Sequence, residues 1–277
     1  MQTGHSKTTT LTLFEGCAGD RNPRGIAGAR LLGRRLATRL GVPAAPVGRM
    51  SRPGSGDWRA QLEAARSDLM ALAAVCRTSL AAGYRPVTTM GRCAAALATL
   101  PAIAHHRPDA LVVWFDAHAD SNVPARSKTG YLGGLVLSGA AGLWETGLGG
   151  ALDLRNVLLV GARDIDPDEQ ALIDAGILRH LPAGPDLPER LAAAITARPV
   201  YVHLDCDVLE PGVVPTEYQV PGGLSLNQLQ AAATVLAGNE QVGLEIAEFE
   251  TAATEAGSDD AAMALLRALE PLWALPG

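Results

Sequence analysis

Short apolar runs rich in Val, Leu and Ile alternate with longer Ala- and Leu-rich stretches along nearly the whole chain. A strand, a helix and a second strand carry the chain back in the same direction. The alternation therefore predicts a mostly parallel sheet with helices on both faces. The strand runs are residues 11–14, 86–89, 110–115, 157–160, 200–204 and 242–247. Helices are expected over 22–40, from an Asp57 N-cap to about residue 82, and over 93–106, 167–175, 186–197, 225–237 and 258–272. Residues 51–57 read as a Gly/Ser/Pro loop. The expected fold class is α/β, a three-layer α/β/α arrangement forming one domain over residues 1–277.

Apolar residues make up 48% of the chain and charged residues 19%, enough for a large core and too few charges for disorder. The net charge of −6 argues against a nucleic-acid binder, which would need a basic face. No apolar run reaches the ~20 residues that span a bilayer. Met1–Lys7 lacks the apolar segment of a secretory signal. Cys17, Cys76, Cys93 and Cys206 form no CxxC pair, so reduced thiols and a cytoplasmic location are expected.

In a parallel sheet the ligand site lies beyond the carboxyl ends of the strands. The run 110–115 is followed by Asp116-Ala117-His118-Ala119-Asp120, and the run 200–204 by Asp205-Cys206-Asp207. In extended chain every second side chain points the same way, so Asp116, His118 and Asp120 can converge, as can Asp205 and Asp207. Either cluster alone also suits a solvated loop or a set of helix caps. Together, each directly after a buried strand, they are carboxylates that repel one another unless cations lie between them. Mostly oxygen donors with one imidazole suit Mn²⁺, and this many carboxylates can bridge two ions roughly 3.5–4 Å apart.

These two motifs, with Asp205-Cys206-Asp207-Val208-Leu209-Glu210-Pro211 and the following Gly222-Gly223-Leu224, resemble the signatures of the arginase (ureohydrolase) family. The resemblance runs from about residue 86 to 250. It implies an arginase/deacetylase-like fold and a dimanganese site that hydrolyses a guanidine or related C–N bond. The His-His pair of the deacetylases is absent, since His105-His106 lies in the helix before the run 110–115. Carried over by position, Asp116 and Asp205 resemble the bridging carboxylates. His118 and Asp207 resemble ligands of the second ion, and Asp120 a ligand of the first. Asp120 is also the group expected to orient the attacking water.

Two positions depart from the family pattern. Where it has a histidine ligand in Gly-Gly-Asp-His, this chain reads Met90-Gly91-Arg92-Cys93. A Cys93 thiolate is a soft ligand, so the first site should hold Mn²⁺ weakly or prefer another divalent ion. The other reading makes Cys93 a small residue at a helix start. Where the family has its proton-shuttle histidine stands Gly133, in Tyr131-Leu132-Gly133-Gly134.

On the substrate side, Asn122, Ser127 and Thr129 match family positions that bind the α-carboxylate of an amino acid. Asp166 matches the α-ammonium contact, with Glu169 assisting through water. Asp166 also suits a helix cap before Pro167, and the Asn/Ser/Thr positions suit a turn. Glu248 resembles the glutamate that holds the guanidinium in two parallel hydrogen bonds. Cys93 with Gly133 resembles a divergent branch that converts Nω-hydroxy-L-arginine to L-ornithine and hydroxyurea in antibiotic biosynthesis. Ordinary arginase or another guanidino or formimino hydrolase is one alternative, and a metal-poor pseudoenzyme that binds a partner is another. The family also implies a homo-oligomer, a trimer or hexamer.

Overall fold

The computed structural model describes residues 8–49 and 54–273. The segment Met1–Lys7, with His5, and residues 51–53 of the expected 51–57 loop lie outside the described residues. Eight parallel strands form one sheet: β1 (Thr9–Phe14), β2 (Ala44–Val47), β3 (Arg85–Thr89), β4 (Leu111–Phe115), β5 (Val157–Val160), β6 (Arg179–Leu181), β7 (Val200–Asp205) and β8 (Gln241–Ala247). Their spatial order is β2-β1-β3-β8-β7-β4-β5-β6. After β3 the chain crosses to β4, and later returns to lay β7 and β8 in the gap. The ends of β3, β8, β7 and β4 thus share one rim at the point where the strand order reverses, where such sheets bind ligands.

The helices are α1 (Arg24–Leu40), α2 (Trp58–Ala81), α3 (Ala96–His106), α4 (Val136–Ala140), α5 (Pro167–Asp174), α6 (Leu187–Ile195), α7 (Leu226–Ala237) and α8 (Glu255–Ala268). Asp57 caps α2 as expected, accepting from the N–H groups of Arg59 and Ala60. A 3-10 turn, Cys93–Ala95, leads into α3. The last helix starts earlier than the sequence suggests because Thr254 supplies the cap, accepting from Gly257 N.

The alternation within β4 shows how the layers form. Val112 and Trp114 join a core with Leu69, Leu72, Leu97 and Leu100 under α2 and α3. Val113 and Phe115 join a second core with Leu32, Leu36, Leu191, Leu229 and Leu265 under α1, α6, α7 and α8. A strand covered on both sides reads as a continuous apolar run, which is why 110–115 is so strong a signal. The edge strands β2 and β6 were not expected. β2 carries Pro46, and β6 is only Arg179–Leu181, half-buried along its length, so neither shows an apolar run.

α1 also sets the end of β8. At Gly28 a Cβ would lie 1.9 Å from the Phe249 carbonyl oxygen. Only glycine lets the helix approach the backbone beside Glu248 this closely. Gly28→Ala is expected to destabilise the fold by about 3 kcal/mol, the upper end for overpacking. A lowered urea midpoint with an unchanged m-value would show it.

Candidate metal centre and substrate pocket

The six expected metal ligands arrive from three strand ends and meet. Asp116, His118 and Asp120 follow β4, Asp205 and Asp207 end β7, and Cys93 follows β3. Cys93, Asp116 and Asp120 place their donor atoms within 4.8 Å of one another, as do Asp116, His118 and Asp207. Asp116 belongs to both groups, the position a bridging carboxylate would take. Asp205 groups instead with Cys93 and Glu248.

Backbone N–H groups fix the carboxylates. Asp116 accepts from His118 N at 2.6 Å, Asp207 from Ala117 N at 2.9 Å, and Asp205 from Asp207 N at 2.7 Å. The β4 and β7 loops are therefore pinned together before any ion is considered. Asp120 and Glu248 both take positive φ, 48° and 61°, a conformation that non-glycine residues rarely hold. Backbone strain thus sits on two of the residues that face the site. Arg163 braces the rim from outside, donating to the carbonyls of Asp207 at 2.9 Å and Val220 at 2.7 Å.

The electrostatics are those of carboxylates crowded together in a buried site. Burial first, then neighbouring carboxylates, pushes Asp120, Asp205 and Asp207 above the usual carboxylate range. Burial also raises the Cys93 thiol, and Asp205 and Glu248 raise it further. Burial opposes charge on Asp116 too, but hydrogen bonds and charge from His118 hold it low. His118 is pushed up to about 12: burial lowers it, and Asp116 and Asp207 outweigh that. The imidazole stands in, as a cation, among groups that suit dications. Four buried carboxylates, one imidazole and one thiol fit two divalent ions, with the thiol giving one position softer character.

Glu248 lies at this rim, but its oxygens already have protein donors. Oε1 accepts from Cys93 N at 3.1 Å, and Oε2 pairs with Arg92 Nη1 at 2.5 Å. Arg92 is fully buried and also meets Glu217 at 2.7 Å, Glu250 at 2.8 Å and Asp20 at 3.5 Å. Sequence reasoning missed Arg92. A lone cation between Met90-Gly91 and an Ala-rich helix was the available signal.

The substrate-side residues are only partly gathered. Asn122 Nδ2 donates to Asp166 Oδ2 at 2.9 Å, joining the carboxylate and ammonium positions of the expected clamp. Asp166 does sit at the N-cap of α5. Glu169 accepts from Asp166 N at 3.0 Å and Ser121 N at 2.8 Å, tying the β4 and β5 loops. Ser127 and Thr129 lie further out, each accepting a local backbone N–H, from Gly130 and Tyr131. At Gly133 a Cβ would stand 2.4 Å from the Tyr131 ring, so tyrosine fills the space beside the missing histidine. Tyr218, also missed, packs edge-on to His118 with centroids 5.5 Å apart.

A model of the arginase family matches residues 22–270, and the chain belongs to that family: it is an arginase-family ureohydrolase, a hydrolase of linear amidines. Over 263 residues it is 36% identical to the N(omega)-hydroxy-L-arginine amidinohydrolase of Streptomyces lavendulae, covering 95% of this chain and 96% of that one. Its fold is similar to that of Entamoeba histolytica arginase in complex with L-ornithine, with a TM-score of 0.82, 19% identity, and 96% and 99% coverage. Proclavaminate amidino hydrolase of Streptomyces clavuligerus is similar at a TM-score of 0.70, 18% identity, and 97% and 91% coverage. No helix among the described residues is long and apolar enough to cross a membrane.

Raised carboxyl pKa values make the metal-free protein less stable as pH rises. Glu248 goes from 4.5 to about 7, with burial the main cause and Arg92 opposing it, and Asp20 from 3.8 to about 6, again through burial against Arg92. Each group favours the folded state fully below its unfolded pKa, and that contribution is lost as pH climbs through the folded value. Asp116, whose pKa is lowered, acts the other way and only below about its ordinary value. The urea midpoint of chelator-treated protein is therefore expected to fall from pH 5 to pH 8. Added Mn²⁺ should restore it most at pH 8. A midpoint that rises with pH without metal would contradict this.

Proposed function

We propose that the chain is a dimanganese hydrolase of the guanidino C–N bond of an arginine-like amino acid, with Nω-hydroxy-L-arginine as substrate and L-ornithine and hydroxyurea as products. The observation that carries the reading is the convergence of Cys93, Asp116, His118, Asp120, Asp205 and Asp207 beside the joined Asn122–Asp166 pair. Identity of 36% over nearly the full length of a hydroxyarginine amidinohydrolase supports the choice of substrate. So does the Tyr131 ring against Gly133, which leaves no room for a histidine there without movement.

Bound dications supply Lewis acidity and a nucleophilic water at neutral pH. The chain's own residues do the positioning. Asp120 accepts a hydrogen bond from the attacking water and orients it. Glu248 faces the guanidine carbon with the lone pairs that Arg92 and Cys93 N leave free. The hydroxyls of Ser127 and Thr129, which already accept local N–H bonds, retain O–H donors for the α-carboxylate, as does the second N–H of Asn122. Asp166 receives the α-ammonium, and Glu169 supports it from α5. Water adds to the carbon and the bond to the ornithine nitrogen breaks, with the proton passing to the amine that leaves. Glu248 is already ion-paired with Arg92, so the site has less need of a cationic substrate head. This favours the less basic hydroxyguanidine over arginine. By the same family reasoning the chain works as one catalytic unit in a homo-oligomer, serving antibiotic biosynthesis.

With Mn²⁺ present, kcat/KM for Nω-hydroxy-L-arginine is expected to exceed that for arginine, agmatine and formiminoglutamate. Ornithine and hydroxyurea should appear in equal amounts. A preference for arginine would make the chain an ordinary arginase, and purified protein that takes up no metal would make it a pseudoenzyme. Asp120→Ala and Asp205→Ala should each lower kcat/KM by about a thousandfold, the equivalent of ~4 kcal/mol, and Asp205→Ala should also lower the metal content. Wild-type turnover in either variant would refute the site assignment.

A further inference from the structure

Beneath the ligand cluster lies a closed polar layer that the proposed chemistry does not use. Trp114 on β4, His203 on β7 and Glu245 on β8 are register partners across three adjacent strands. All three are fully buried. The Trp114 and His203 rings stack with centroids 3.5 Å apart and planes 4° from parallel. His203 Nδ1 donates to Glu245 Oε1 at 2.7 Å. Glu245 Oε2 accepts the hydroxyls of Tyr201 and Thr99, each at 2.7 Å. One buried carboxylate thus holds three donors, the condition under which such a group is tolerated in a core.

The free end of this assembly points at the metal ligands. His203 Nε2 is 3.1 Å from Cys93 Sγ, which is itself 2.9 Å from Asp205 Oδ2. Trp114 Nε1 donates to Asp116 Oδ2 at 2.9 Å. The two rings of one stack therefore reach two ligands that come from different strands. A cysteine side chain has a single rotatable bond with three staggered wells. A ring clamped at its far edge by Glu245 selects the well that turns Sγ toward Asp116, Asp120 and Asp205. Partners behind a ligand commonly orient it and tune its affinity in this way.

We propose that His203 and Glu245 are positioning residues for Cys93, and that this buried dyad makes a soft thiol serviceable as a ligand of the first ion. The inference rests on the metal reading above and goes beyond it by naming what holds the unusual ligand in place.

Mn²⁺ and Co²⁺ titrations of the full chain test it. Wild-type protein is expected to bind two ions. Loaded with Co²⁺, it should show a near-ultraviolet thiolate-to-cobalt charge-transfer band that Cys93→Ala abolishes. His203→Phe keeps a ring against Trp114 and removes both nitrogens. It should weaken the more loosely held ion by about 10–100-fold and diminish the band, leaving the other ion unchanged. A folded His203→Phe protein with wild-type affinities and band overturns the proposal. If that variant does not fold, Thr99→Val and Tyr201→Phe decide. Each removes one donor from Glu245, and a several-fold loss for the same ion supports the proposal, whereas unaltered binding and band overturn it. Wild-type protein that binds ions without a thiolate band also overturns it and leaves the hydrolase reading standing. Wild-type protein that binds no ion defeats both.

Discussion

Mutual repulsion among buried carboxylates is the constraint on which the rest of the structure depends. Parallel strands bring their carboxyl ends to one rim, and β4 and β7 each deliver acids there at every second residue. Asp116, Asp120, Asp205 and Asp207 are all buried. The chain fastens them with backbone N–H groups and with His118, which lowers the cost without removing it. What remains is a strong, localised preference for cations. Asp207 is held across loops by Ala117 N, whereas Asp116 and Asp205 each accept from the N–H two residues on in their own loop.

The second electrostatic feature runs the other way. Arg92 is a permanent guanidinium sealed inside the protein among Asp20, Glu217, Glu248 and Glu250. Burial alone would lower its pKa, but Glu248 and Asp20 outweigh that and raise it. A protein that acts on linear amidines therefore carries such a group of its own against the glutamate that the family pattern assigns to the substrate. Glu248 becomes a shared acceptor, and its backbone is held in a strained conformation as well.

Much of this was legible in the sequence, and the parts that were not have a common cause. The strands with continuous apolar runs were readable because burial on both faces writes itself into consecutive residues. The acids at 116–120 and 205–207 were readable because a period of two is the geometry of a strand. The edge strands β2 and β6, with little burial to record, left no such trace. Arg92, His203, Glu245 and Trp114 were missed as a set. Apart from the Trp114–Asp116 bond, their partners are 42 to 158 residues away in sequence and become neighbours only once β7 and β8 are laid between β3 and β4. Glu245, an acid inside an apolar strand, was a local hint that a buried partner existed. Asn122 and Asp166 were expected as separate substrate contacts. What the sequence did not show is that the two also bond to each other.

Cys93 sits at the bottom of this arrangement, walled in by the Trp114–His203 stack, Asp205 and the backbone of the 93–95 turn. Sulfur ligands are ordinarily the vulnerable members of a metal site, because peroxides and electrophiles reach them first. Here the thiol has almost no contact with solvent. In the proposed role for Cys93 the centre would combine a soft donor with durability, its sulfur out of reach of the oxidants and alkylating agents that would disable an exposed one.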